Sequence, residues 1–267
     1  MYLADCHNHT CCSPDSETPL SAMAAAAAQA GLSQLCTTDH LDLLGWHGEP
    51  METWDWTPIL EQYASVQRNC PKGLELRLGI ELGAAQFFPE RARQVLGGVP
   101  LDFVIGSAHN MNPKLGGEDF YFVPYTCPED CYRALDDYFQ SLYALAGMKE
   151  CDVIGHIIYP LRYMRREGQN ISLDRYHDTL CGIFRRAVEH GRGIEVNTNR
   201  GKDVEDWRSI LELYRRQGGE IVTIGTDAHE AEDVGKGVKE TTELLRALGY
   251  RYYTVFQRRQ PQFIPLD

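Results

Sequence analysis

Short apolar runs near residues 2–6, 33–37, 75–80, 101–106, 152–155, 193–197 and 221–225 recur along the chain, separated by longer segments of helical periodicity. Runs of this length, bounded by turn residues, predict buried strands. The intervening segments, roughly 19–30, 57–69, 88–97, 128–149, 172–190, 203–217 and 232–248, predict helices. Pro19, Pro58 and Pro128 stand near three of the starts, and Gly31, Gly147, Gly191 and Gly218 near the ends, where these residues fit helix termini best. Strands alternating with helices predict a parallel sheet covered by helices. Seven such units point to the α/β class and to a TIM-like barrel. An open sheet is disfavoured because polar, ligand-type residues follow every strand instead of gathering at one switch point. An eighth run, Tyr250 to Phe256, either closes the barrel or lies outside it. Two connections, 41–56 and 110–127, are too long for ordinary barrel loops and predict lids or substrate walls. On this reading residues 1–267 form a single barrel domain carrying those two inserted loops.

Composition narrows the partners. With 26 basic and 38 acidic residues the formal charge is −12, and the basic residues cluster only in short pairs such as Arg165-Arg166 and Arg185-Arg186. That balance argues against a general nucleic-acid-binding face. A small phosphorylated substrate stays compatible, because metal cations and a few arginines bind an anion inside an acidic protein. No apolar run approaches the ~20 residues that a membrane-spanning helix needs. Nine cysteines without a CxxC pair read as reduced thiols of a cytoplasmic protein. The Ala-rich stretch from Ala22 to Ala30 predicts a helix packed closely on the sheet rather than an export signal.

The chemistry lies at the strand ends. In His7-x-His9 on an extended segment, alternate side chains face the same way and reach one ion. Thr38-Asp39-His40 and Thr226-Asp227-Ala228-His229 each pair an acid with a histidine. Asp227 is expected to ligate, whereas Asp39 is expected to fix the orientation of a ligand. Glu81, His109 and His156 close three further runs, and Asp15 can swing back from the loop after His9. His177 and His190 fall inside one predicted helix and are set aside, and His47 in the Trp-rich loop is a weaker substrate candidate. Mixed imidazole and carboxylate ligation suits Zn²⁺, Mn²⁺ or Fe²⁺. Such ions lower the pKa of bound water to near ~7 and clamp phosphoryl oxygens, which favours phosphate ester hydrolysis by hydroxide. Asp227 or His229 is expected to pass a proton to the leaving alkoxide. There is no GxxxxGK[ST] phosphate loop, GxSxG elbow or HExxH helix.

The series D-x-H-x-H, T-D-H, G-I-E, S-x-H, G-H and T-D-A-H, spanning residues 5 to 229, resembles the polymerase and histidinol phosphatase (PHP) family. Thr38 to Asp42 and Ser13-Pro14-Asp15-Ser16 are similar to its histidinol-phosphate phosphatase branch. The resemblance implies a distorted TIM-like (β/α)7 barrel holding up to three divalent ions. It implies His7, His9, Glu81 and Asp227 for one ion, Asp15, His40 and His229 for a second, and Glu81, His109 and His156 for a third, with Glu81 bridging. Many members carry His where this chain has Asp15.

Substrate contacts must come from outside that shell. Arg162 and Arg200 follow strand ends closely enough to point a guanidinium at a phosphate. For the amine and imidazole of histidinol the candidates are Asp42, Glu49 and the aromatic walls Trp46 and Tyr121. The expected function is therefore a metal-dependent phosphoesterase, with histidinol phosphate in histidine biosynthesis as the leading substrate. The rivals are the same chemistry on a nucleotide, cyclic phosphate or phosphotyrosine, a metal-dependent amidohydrolase, and a non-catalytic metal-binding domain.

Overall fold

The computed structural model describes residues 1–266. Eight strands share one all-parallel sheet: β1 (Ala4–Asp5), β2 (Gln34–Thr37), β3 (His40–Asp42), β4 (Glu75–Gly83), β5 (Phe103–Ser107), β6 (Val153–Ile154), β7 (Gly193–Asn197) and β8 (Val222–Gly225). Their order is β1-β2-β4-β5-β6-β7-β8, with β3 beside β4. The long β4 pairs with β2 along its first half and with β3 along its second, so β2 and β3 act as one strand broken at Thr38-Asp39. The first and last strands then meet. Cys6 N donates to Ile224 O at 2.8 Å, Asp227 N to His7 O at 2.8 Å and His9 N to Ala228 O at 2.8 Å. The result is a nearly closed seven-stranded parallel barrel, as the alternation of elements predicts.

Among the described residues eight α-helices cover it: α1 (Leu20–Gln29), α2 (Thr57–Arg68), α3 (Pro89–Leu96), α4 (Pro128–Leu145), α5 (Tyr159–Arg166), α6 (His177–Glu189), α7 (Arg208–Arg216) and α8 (Val238–Ala247). The Ala-rich α1 buries Met23, Ala24 and Ala27, which lets it lie close to the sheet. Proline opens α2, α4 and α5, where its missing N–H costs nothing. Helix α5 was not expected from the sequence. It occupies residues read there as loop, and it places Arg162 on a helix with Leu161 and Met164 turned into the core.

The run after Tyr250 does not close the barrel. It forms β9 (Tyr252–Gln257), which pairs antiparallel with β10 (Gln260–Pro265) outside the ring. This hairpin caps the amino-terminal end of the strands. Phe256 stacks on Phe103 at 5.0 Å, Tyr253 donates its hydroxyl to Tyr2 O at 3.2 Å, and Arg259 Nε meets Asp152 at 2.5 Å. The opposite end stays open, between the two long connections. Those are joined to each other: Asp119 N donates to Trp46 O at 2.8 Å, Asn110 Nδ2 to Gly45 O at 2.8 Å, and His47 faces Glu118 at 2.8 Å. No helix among the described residues is long and apolar enough to cross a membrane.

Candidate metal centre and substrate cavity

At the carboxyl ends of the strands the polar residues gather at one point, most of them just past the hydrogen-bonded segment, Glu81 within β4 and His40 at the start of β3. His7 and His9 extend β1, and the intervening Asn8 turns away to donate to Cys36 O at 2.7 Å. Close approach dictates Gly225 there, because a Cβ would stand 2.3 Å from that of His7 and 2.4 Å from Glu195 Oε1. Asp227 then takes a left-handed conformation, φ 59°, which aspartate tolerates better than most residues. A Cβ on Gly83 would lie 1.7 Å from Asp42 Oδ1, so glycine is also needed where β4 passes that acid.

Glu81 sits at the junction. Its Oε1 lies 2.9 Å from His156 Nε2, 3.1 Å from His109 Nε2 and 2.7 Å from the donating Ser107 hydroxyl. Its Oε2 lies 3.2 Å from His7 Nε2, 3.2 Å from His40 Nδ1 and 3.5 Å from His9 Nε2. Among the described residues four donor groups are compact enough to hold an ion: His7, His9 and Glu81; His9, Asp15, His40 and His229; Glu81, His109 and His156; and His40, Asp42 and His109. Asp227 Oδ1 approaches the first two groups at 3.7 Å from His7 Nε2 and 3.3 Å from His9 Nε2. Asp15 Oδ2 lies 2.9 Å from His229 Nε2 and 3.5 Å from His40 Nε2.

These donors fit divalent ions. Ligand atoms at the usual 2.0–2.2 Å from a tetrahedral ion stand about 3.3–3.6 Å apart, and octahedral neighbours stand about 3 Å apart. The His7 and His9 Nε2 atoms face each other at 3.1 Å, as do those of His109 and His156. All nine residues expected to ligate are therefore brought to this mouth.

Protonation in the absence of ions shows the same charge pattern. Burial works to raise Glu81, but His7, His109 and His40 drive it well below the ordinary carboxylate range. Burial likewise works to raise Asp227, and His7 and His9 pull it well below. Burial pulls His7 down, yet Glu195, Glu81 and Asp227 hold it well above the usual imidazole value. His9, buried and flanked by His40 and His229, is pushed down to about 3.

The outer contacts include one the sequence reading missed. Glu195, fully buried on β7, places Oε1 2.5 Å from His7 Nδ1 and accepts from His156 N through Oε2 at 2.9 Å. It fixes the ring so that Nε2 faces the cluster. Asp42, read from sequence as a contact for the substrate amine, instead faces the ligand histidines, 2.8 Å from His109 Nδ1 and 3.1 Å from His40 Nδ1. Asp39 orients His9 at one remove: Ser13 Oγ donates to Asp39 Oδ1 at 2.7 Å and lies 3.1 Å from His9 Nδ1.

A cavity of about 750 Å³ opens above the cluster. Arg162 is held at its floor, donating from Nε to Asp203 at 3.0 Å, from Nη2 to Asn197 at 2.6 Å and from Nη1 to Asp227 Oδ2 at 3.3 Å. Arg200 lies on the exposed rim, its guanidinium bonded to neighbouring Asn199 at 3.2 Å. Trp46, Tyr121 and Phe122 form one wall. Arg166 covers Tyr121 at 4.6 Å from the ring centroid, and Phe122 packs against Tyr121, His47 and Trp46. Neither Glu49 nor His47 lines the cavity. Glu49 is exposed and turns back to accept from His47 N at 3.0 Å.

Comparisons with known proteins agree with this architecture. Residues 5–199 match the PHP domain. A probable histidinol-phosphatase of Clostridium acetobutylicum is 25% identical, covering 90% of this chain and 91% of the relative. The histidinol-phosphatase of Lactococcus lactis is 23% identical over 96% of this chain and 95% of its own, and a probable phosphatase of Photobacterium profundum is 24% identical over 99% and 93%. The crystal structure of histidinol phosphate phosphatase from Lactococcus lactis, complexed with zinc, L-histidinol and phosphate, superposes with a TM-score of 0.84. It is 22% identical and covers 97% of this chain and 98% of that one. With the family match spanning most of its length and the clustered His and Glu donors in place, the chain belongs to the PHP family, as a metal-dependent phosphatase.

Proposed function

We propose that the protein hydrolyses a small phosphomonoester, histidinol phosphate, using up to three divalent ions of the Zn, Mn or Fe type. The carrying observation is Glu81, a buried carboxylate whose two oxygens are faced by five imidazoles from four different strand ends. In this reading His7, His9, Glu81 and Asp227 hold one ion, Asp15, His40 and His229 a second, and Glu81, His109 and His156 a third. Ions so placed would activate water near neutral pH and neutralise the phosphoryl oxygens.

The side chains do the rest. Arg162, anchored by Asp203 and Asn197, presents a preset fork to a phosphoryl oxygen. Asp227 has Oδ1 toward His7 and His9 and Oδ2 at the cavity beside Arg162. With its carboxyl held deprotonated, Asp227 would take a proton from the attacking water and pass it on to the leaving alkoxide. His229 is less suited, since its Nδ1 faces the Asp227 carbonyl at 3.0 Å and its Nε2 faces Asp15. Arg200 would approach the substrate from the rim, and Trp46 and Tyr121 would wall the leaving group.

The histidinol assignment draws support from the named relatives and from the cavity size, which suits a small molecule. Phosphate release by metal-loaded protein should be compared for histidinol phosphate, a nucleoside monophosphate, a cyclic phosphodiester and p-nitrophenyl phosphate. We expect kcat/KM for histidinol phosphate to exceed the others by tenfold or more. A phosphodiester favoured by that margin would overturn the substrate and leave the phosphoesterase chemistry standing.

A further inference from the structure

The cavity wall holds one buried acid that no metal cluster uses. Asp119 lines the cavity and is 8% exposed. The other lining carboxylates are accounted for: Asp15, Asp42, Glu81 and Asp227 face the ligand histidines, and Glu230 is exposed at the rim. Asp119 Oδ1 is taken, accepting from Tyr121 N at 2.7 Å and from the Tyr159 hydroxyl at 3.3 Å. Its Oδ2 accepts no hydrogen bond from the described residues, and it is not among the polar atoms sealed away from solvent. It therefore opens on the cavity.

Its position is tightly set. The backbone of Asp119 is bonded on both sides, N to Trp46 O at 2.8 Å and O to Phe122 N at 2.9 Å, and the next residue, Phe120, donates to His109 O at 2.8 Å. Asp119 thus neighbours the residue that is bonded to the strand-end His109, and both line the cavity. Trp46 and Phe122 line the same cavity. A buried carboxylate with one free oxygen, between aromatic surfaces, is a receptor for a protonated amine.

We infer that Asp119 selects substrates whose leaving group carries an ammonium or imidazolium, by accepting a charge-assisted hydrogen bond through Oδ2. This deepens the function proposed above and rests on that reading for the identity of the substrate, though not for its charge. Asp119 takes the part that sequence reasoning gave to Asp42 and Glu49.

The test uses metal-loaded Asp119→Asn and Asp119→Glu beside the wild type. Each is assayed with histidinol phosphate, its analogue lacking the amine, and short aminoalkyl phosphates paired with alkyl phosphates of equal length. In Asp119→Asn the preference for the amine-bearing member should fall about ten- to a hundredfold, the range expected for one charged hydrogen bond. Product inhibition by L-histidinol should weaken in parallel, and Asp119→Glu should restore part of both. A preference and an inhibition constant that Asp119→Asn leaves at wild-type values overturn the inference, as does a wild type indifferent to the amine. If aminoalkyl phosphates are favoured while histidinol phosphate is not, the substrate named above falls and the role of Asp119 stands.

Discussion

Replacing Glu195 by Gln should disable the site although Glu195 touches neither substrate nor ion. The amide has the same shape but one acceptor oxygen in place of two. In the native site Oε2 accepts from His156 N at 2.9 Å and Oε1 takes the His7 Nδ1 proton at 2.5 Å, both fully buried. Glutamine can satisfy only one of these. If its oxygen stays with His156 N, its NH₂ faces His7 Nδ1 and forces the ring proton onto Nε2, the nitrogen that must point at the ion. If it turns round, the buried His156 N–H loses its partner, at a cost of about 1–3 kcal/mol. Loss of such an orienting carboxylate typically lowers metal affinity or activity ~10–100-fold. Competition with a chelator gives the affinity, phosphate release gives kcat/KM, and circular dichroism checks that the fold persists. Metal affinity and kcat/KM within twofold of wild type would refute the tautomer argument.

Arg162→Ala should raise KM and also lower kcat, because the guanidinium both faces the cavity and holds Asp227 Oδ2 at 3.3 Å. A charged hydrogen bond is worth about 1.5–3 kcal/mol, so kcat/KM should fall by at least tenfold, and steady-state kinetics showing a change in KM alone would remove Asp227 from the explanation. Metal-free protein should bind ions more tightly as pH rises from 6 to 8. Despite burial, His7, His40 and His109 are held well above the ordinary imidazole value by neighbouring acids, so their protons must leave before ions bind. The same shifts stabilise the metal-free fold fully below the unfolded imidazole pKa of about 6.5, and that contribution is lost as pH rises through the elevated folded values. Calorimetric titration across this range checks the first statement and thermal melts of metal-free protein the second. Elemental analysis should find up to three ions per chain, and one fewer in Asp15→Ala.

The barrel and most of the donor set were legible because both write themselves locally. An apolar strand followed at once by His or Glu is a pattern of a few residues, and seven repetitions fix the architecture. What escaped is what depends on remote partners or on very short elements. Strand β3 is three residues long and is cut off from β2 by Thr38-Asp39, so its pairing with β4 leaves no periodicity to read. Helix α5 spans only eight residues close behind His156, too short for its periodicity to stand out. Glu195 looked like any strand-end acid, since its partner His7 lies 188 positions away. Asp119 lay in a segment whose fold comes from bonds to the other long connection rather than from its own sequence.

The join between the first and last barrel strands has a consequence for assembly. Asp5 accepts from the Thr226 hydroxyl across 221 residues of chain, and the histidines of one flank meet Asp227 and His229 only when that join has formed. Contacts of such separation are among the slowest a chain makes, even though the added entropy of a longer loop is modest. A half-folded chain offers His7 and His9 as an isolated pair, with little to distinguish one ion from another. The complete cage of imidazoles and carboxylates arises at ring closure, so metal choice is made by a finished barrel. Rapid mixing should then show the ion of Glu81, His109 and His156, whose strands are neighbours, taken up first, and the ions that need His7, His9, Asp227 and His229 only once the ring has closed.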